Sequence, residues 1–157
     1  MRRTHIAALL AVIVAVPAAG AGSFFSSAAK TCFVAGNVGY RFSGSAPANF
    51  TVRIAGAAER PNLRLQLVDD PAVADFVLVD DAASLDACSG VAAIESIRID
   101  PAARNADLTV ALSRAPADYK IYVRSAAFSE QDAAALFAAI WKNARWARSG
   151  LEFAARN

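Results

Sequence analysis

Six short stretches of this chain alternate apolar and polar side chains, and one long stretch near the C-terminus then switches to a helical period. That change of period limits the fold more than any other feature, because a two-residue repeat buries one face of a strand and a 3.6-residue repeat buries one stripe of a helix. In VGYRF, Val38, Tyr40 and Phe42 share a face; in FTVRI, Phe50, Val52 and Ile54 do. LRLQLV turns Leu63, Leu65 and Leu67 inward. Ile97 and Ile99, then Leu108, Val110 and Leu112, continue the pattern. YKIYVR places Tyr119, Ile121 and Val123 on one side and Lys120, Tyr122 and Arg124 on the other. DFVLVDD departs from it: Phe76 to Val79 is continuously apolar, the mark of a strand buried on both faces.

The connections are short. SGSAPAN (43–49) and DPAARNA (100–106) have the composition of hairpin loops. From Ser129 the helical period takes over, with Ala133, Leu136, Phe137, Ile140, Trp141 and Ala144 on one stripe. Ser129 is suited to the N-cap, Asp132 completes a capping box, and Gly150 is the expected stop. These elements predict an α+β domain over 37–150. It has two layers, a mostly antiparallel sheet covered by one long C-terminal helix, and is preceded by a hydrophobic export segment. Residues 22–36 read as a linker and 151–157 as a tail.

The N-terminus opens with MRRTH, continues with an unbroken apolar run from Ile6 to Val16, and reaches Ala19-Gly20-Ala21 after Pro17. That order fits a secretory signal peptide over 1–21. Residues 6–29 contain no Lys, Arg, Asp or Glu, so the same stretch is also long enough for a retained membrane anchor. Both readings export the domain to the periplasm or the exterior. In an oxidising compartment Cys32 and Cys88 are then expected to form one disulfide.

Once Arg2 and Arg3 are set aside, the remaining chain has 14 basic and 14 acidic side chains. Such a balance gives no footprint for nucleic acid, and none is expected as a partner. The charge is uneven, with an acidic middle between basic flanks. Leu-Val-Asp-Asp-x-Ala-x-x-Asp occurs twice, at Leu67 to Asp75 and at Leu78 to Asp86. Asp70 before Pro71, and Asp81 before Ala82, are read as caps of short turns that end apolar strands. The spacing is not that of a calcium loop.

The one histidine, His5, lies in the export segment, which leaves the domain without a Ser-His-Asp triad or a histidine metal ligand. Ser27-Ala-Ala-Lys30 and Asn49-Phe-Thr51 are chance-length matches to an acyltransferase motif and a glycosylation acceptor. No catalytic, cofactor or metal site is expected. The candidate contacts are Trp146 with Lys142 and Arg145, for a protein partner or the membrane surface, and Lys120, Tyr122 and Arg124, for an anion or glycan. The sequence thus points to an exported, non-catalytic envelope module. A periplasmic small-ligand or glycan-binding domain is the alternative, and an aspartate-dependent hydrolase is a more distant one.

Overall fold

The computed structural model describes residues 32–44, 47–56, 59–79 and 88–154, with side chains to residue 145. Its strands are β1 (Cys32–Ala35), β2 (Val38–Phe42), β3 (Phe50–Ile54), β4 (Leu63–Leu67), β5 (Phe76–Val79), β6 (Ala93–Ile99), β7 (Leu108–Ser113) and β8 (Tyr119–Arg124). One helix, α1 (Glu130–Ala154), follows. The strands form a single curled half-barrel sheet in the order β1-β2-β6-β3-β7-β4-β8-β5. Apart from the antiparallel pair β1 and β2, every neighbouring pair is parallel. The expectation of a mostly antiparallel sheet is therefore wrong. Neither expected hairpin exists: β6 lies between β2 and β3, and β3 lies between β6 and β7.

The reason lies in the register. Parallel neighbours ordinarily need a long crossover, because the chain must return the length of a strand. Here it never returns. Phe42 ends β2 and Phe50 begins β3, and both face Ile97. Ile54 ends β3 and Leu63 begins β4, and both face Val110. Leu67 and Phe76 both face Ile121. Each new strand starts level with the end of the last, two strand spacings away, which is roughly 10 Å. The second run repeats the device. Ile99 and Leu108 both face Val52, and Leu112 and Tyr119 both face Leu65. The sheet is thus two diagonal series, β2 to β5 and β6 to β8, filling one another's gaps.

The entries of β3, β4, β5 and β7 are each fixed by an Asn or Asp immediately before the strand. The Asn62 amide donates to the Thr109 carbonyl at 2.8 Å, and the Thr109 amide donates back to Asn62 Oδ1 at 2.9 Å. Asp75 makes the same reciprocal pair with Lys120, and Asp107 with Thr51, every bond at 2.8 Å. Asn49 engages Ser96 in a variant that includes the serine hydroxyl. The side chain supplies an acceptor where the ladder would otherwise leave an amide unpaired. The expected punctuation role of Asp70 is also seen, since its Oδ1 accepts the Ala72 amide at 2.9 Å with Pro71 at the first position of a 3-10 turn. Asp81 lies outside the described residues.

The inward strand faces meet on the helix. Val52, Leu63, Leu65, Ile97, Val110 and Ile121 are all buried to within 1%. Asn143 donates to the Tyr40 hydroxyl on β2, Trp141 Nε1 donates to the Tyr119 hydroxyl on β8, and Phe137 packs on Phe76 of β5. On a flat sheet β2 and β5 would stand about 29 Å apart. A single helix, about 10–12 Å wide, reaches both only because the sheet curls round it. Ala133 to Ala139 are seven consecutive buried residues, so about two turns, beginning just after the exposed Glu130 and Gln131, are covered on every side. The expected single stripe understates this, and alanine explains it, since small side chains admit close neighbours all round. The capping box forms as expected: Asp132 N–H donates to Ser129 Oγ at 3.1 Å and Ser129 N–H donates to Asp132 Oδ2 at 2.8 Å. The helix runs on through Gly150, which is not its stop.

Two other expectations change. Cys32–Ala35 forms β1 although its sequence carries no marked alternation. β5 is an edge strand with Val77 46% exposed, not a strand buried on both faces. An apolar run of four residues does not distinguish the two situations.

Candidate functional site

Alternation sends one residue in two to the face of the sheet away from the helix. The sequence places a base there repeatedly: Tyr40-Arg41-Phe42, Val52-Arg53-Ile54, Leu63-Arg64-Leu65, Ile97-Arg98-Ile99, Tyr119-Lys120-Ile121 and Val123-Arg124. Because the flanking apolar residues are drawn into the core, each base is turned outward. Among the described residues, the outward strand positions hold these six bases and no acid.

The stagger of the strands arranges them. Arg41, Arg98 and Arg53 lie on consecutive strands, each one strand across and two residues further along than the last. Diagonal neighbours of that kind are separated by about 8 Å. Arg64 follows across two strands, at about 12 Å, and Lys120 one further diagonal step on, at about 8 Å. The five form one row over the convex face. Four have a polar neutral neighbour directly beside them: Ser96 at Arg41, Thr51 at Arg98, Thr109 at Arg53 and Gln66 at Lys120.

Loop acids reach two members. Glu59 pairs with Arg53, and Asp100 approaches Arg98 at 3.7 Å. Arg41, Arg64, Lys120 and Arg124 are exposed and have no ion pair among the described residues. Tyr122 stands on the same face between Lys120 and Arg124, beside exposed Val77. The three residues read as an anion or glycan contact are therefore the end of a longer row. Whole-chain charge counting missed the rest, since it averages over faces; the repeated apolar-base-apolar triplet is the signal that would have found it.

At the other end of the face lies the disulfide. Cys32 and Cys88 are bonded, with Cα atoms 5.7 Å apart, as their number and the export segment predicted. The bridge lies over Gly39 on the outer side, and a Cβ at Gly39 would collide with Cys88 Sγ. Glycine at that position is a packing requirement.

The remaining candidates are dispersed. Lys142 pairs with Asp107 at 3.0 Å and sits 4.5 Å over the Phe50 ring, turned into the domain. Arg145 stacks on Trp141, which is partly buried against the core. The side chain of Trp146 lies outside the described residues, as do Asp80, Asp81, Asp86, His5, Ser27 and the 6–29 segment. Asp69 pairs with Arg114 at 2.9 Å. Asn49 spends its side-chain oxygen on Ser96. Among the described residues there is no cluster of three or more potential metal ligands, and no helix is long and apolar enough to cross a membrane.

The bond to Asp69 holds the exposed Arg114 guanidinium above its ordinary range, and two further groups depart from theirs. Burial raises the Tyr40 hydroxyl, opposed by its bond with Asn143 and reinforced by nearby Glu95. For Asp107, burial pushes upward but is outweighed by the Thr51 amide and the Lys142 ammonium, so its carboxyl lies below the usual range. Both belong to the packing of helix on sheet. No protein-family model and no curated protein matches the chain.

Proposed function

We propose that this chain is an exported, non-catalytic envelope module that acts by binding an anionic partner through the outer face of its sheet. The observation that carries the reading is the segregation of charge on that face: six outward bases and no outward acid among the described strand positions of a chain whose total charge is nearly balanced. A basic surface in a near-neutral chain focuses potential locally and attracts a partner of opposite sign. The disulfide is consistent with an oxidising compartment, and the apolar lead before the domain with export. The described aspartates support binding over hydrolysis, because Asp69, Asp70, Asp75 and Asp107 are each engaged in an ion pair, a turn or a strand entry.

A photo-crosslinking residue tests this in living cells. Placed at Gln66, inside the row, it should yield adducts; placed at Ala102, on a loop, it should not. Adducts from Ala102 alone, or from neither position, would overturn the proposal.

A further inference from the structure

We infer that the row Arg41, Arg98, Arg53, Arg64, Lys120 is the track of a linear acidic polysaccharide. The inference rests on the outer face being the contact surface and goes on to name what lies along it. Three observations select this class of ligand over other polyanions.

The first is curvature. Arg41 and Lys120 stand on β2 and β8 with four strands between them, on the convex side of a sheet curled enough for one helix to touch both β2 and β5. Their side chains therefore point in widely different directions. A flat bilayer meets a convex face only along a narrow strip and cannot engage both ends of the row, whereas a flexible chain can follow the bend. The second is what accompanies the charge. Ser96, Thr51, Thr109 and Gln66 place hydroxyl and amide groups beside four of the five bases. That alternation of charge with neutral hydrogen-bonding groups matches a hydroxyl-rich chain carrying spaced acidic groups. The third is the shortage of aromatic surface. Single-stranded nucleic acid is held by successive bases stacked on aromatic side chains, and the described outer strand positions supply one aromatic, Tyr122. One ring beside Lys120 and Arg124 suits a single sugar at the end of the track. The spacing of about 8 to 12 Å along the row sets the interval at which acidic groups would be met.

The test uses the purified full chain and two probes, heparin as a sulfated polysaccharide and polygalacturonate as a carboxylated one. Vesicles of phosphatidylglycerol in phosphatidylcholine and an oligothymidine strand are the competing arms. Two variants of equal net charge are compared. One removes unpaired members of the row, Arg41→Gln, Arg64→Gln and Lys120→Gln. The other removes three loop bases, Arg60→Gln, Arg104→Gln and Arg114→Gln. Both polysaccharides should bind the wild-type chain and the loop variant within about two-fold of each other. The row variant should lose about thirty-fold, as three exposed ionic contacts of ordinary strength would give. Binding should weaken as salt screens the row.

Tighter binding to vesicles or to oligothymidine, lost in the row variant, would overturn the polysaccharide and retain the face as the contact surface. Polysaccharide binding that falls equally in both variants, or in neither, would overturn the face as well.

Discussion

The reciprocal clamp at Asp107 can be taken apart one interaction at a time. Its carboxylate accepts the Thr51 amide at 2.8 Å and the Lys142 ammonium at 3.0 Å. Asp107→Ala removes both and leaves the Thr51 amide without its acceptor. A hydrogen bond to a charged group is worth about 1.5 kcal/mol at the low end. With the Asp107 side chain 37% exposed, the ion pair belongs to the surface class, at about 0.5 kcal/mol. Together these predict a loss of about 2 kcal/mol, or about 6 to 8 °C in Tm for a domain of this size. Asp107→Asn keeps a carbonyl facing Thr51 and drops the charge, so it should cost about 1 kcal/mol.

The pH dependence follows from the depressed Asp107 carboxyl. Its stabilising contribution is complete above the unfolded value of about 3.9 and is lost as pH falls through the lower folded value. The gap between wild type and Asp107→Asn should therefore be full at pH 7 and close in strong acid. Urea unfolding followed by tryptophan fluorescence measures all three proteins. If Asp107→Asn costs as much as Asp107→Ala at pH 7, attraction to Lys142 and not the strand clamp is what holds this corner, and the reasoning fails.

Other outcomes follow from packing. Ala138→Leu adds a helix-favouring residue where no side of the helix is open, so it should lose about 1 to 3 kcal/mol or more by thermal melting; a gain in stability would show that the turn has a free face. Gly39→Ala should cost a similar amount, and most of that cost should vanish in a Cys88→Ala background, where the colliding sulfur is gone. Reducing the Cys32–Cys88 bond opens a loop of 56 residues and should lower stability by about 4 kcal/mol in the chain-entropy model. Thiol labelling before and after reductant checks the bond directly, and labelling of both cysteines without reductant would contradict it.

The strands were legible because a half-buried strand writes its own period. VGYRF, FTVRI and LRLQL occupy the spans that their alternation marks. Their order was not legible. Connections such as 43–49 and 55–62 are short enough for hairpins, and nothing in a loop's composition reveals that the next strand starts beside the end of the last. A signal for it was present in the recurrence of Asn49, Asn62 and Asp75 every 13 residues, each before an apolar residue. The Leu-Val-Asp-Asp repeat, whose first copy ends at Asp75, overlies that period and obscures it. The outer face was half legible. Lys120, Tyr122 and Arg124 stand close enough in sequence to be seen together, whereas Arg41, Arg98, Arg53 and Arg64 become neighbours only through the interleaved register.

Interleaving also decides when this protein can fold. Every strand from β3 to β5 is flanked only by strands from the later run, and β2 has β1 as its only early neighbour. A ribosome that has released everything up to residue 92 has produced one hairpin and three strands with nothing to pair with. Their partners lie some 45 to 56 residues downstream, as the clamps between Asp75 and Lys120 and between Thr51 and Asp107 show. Contacts at such separations form late and slowly. A chain built this way leaves its first half unable to close prematurely, a property that suits a polypeptide threaded through a narrow channel before it folds on the far side.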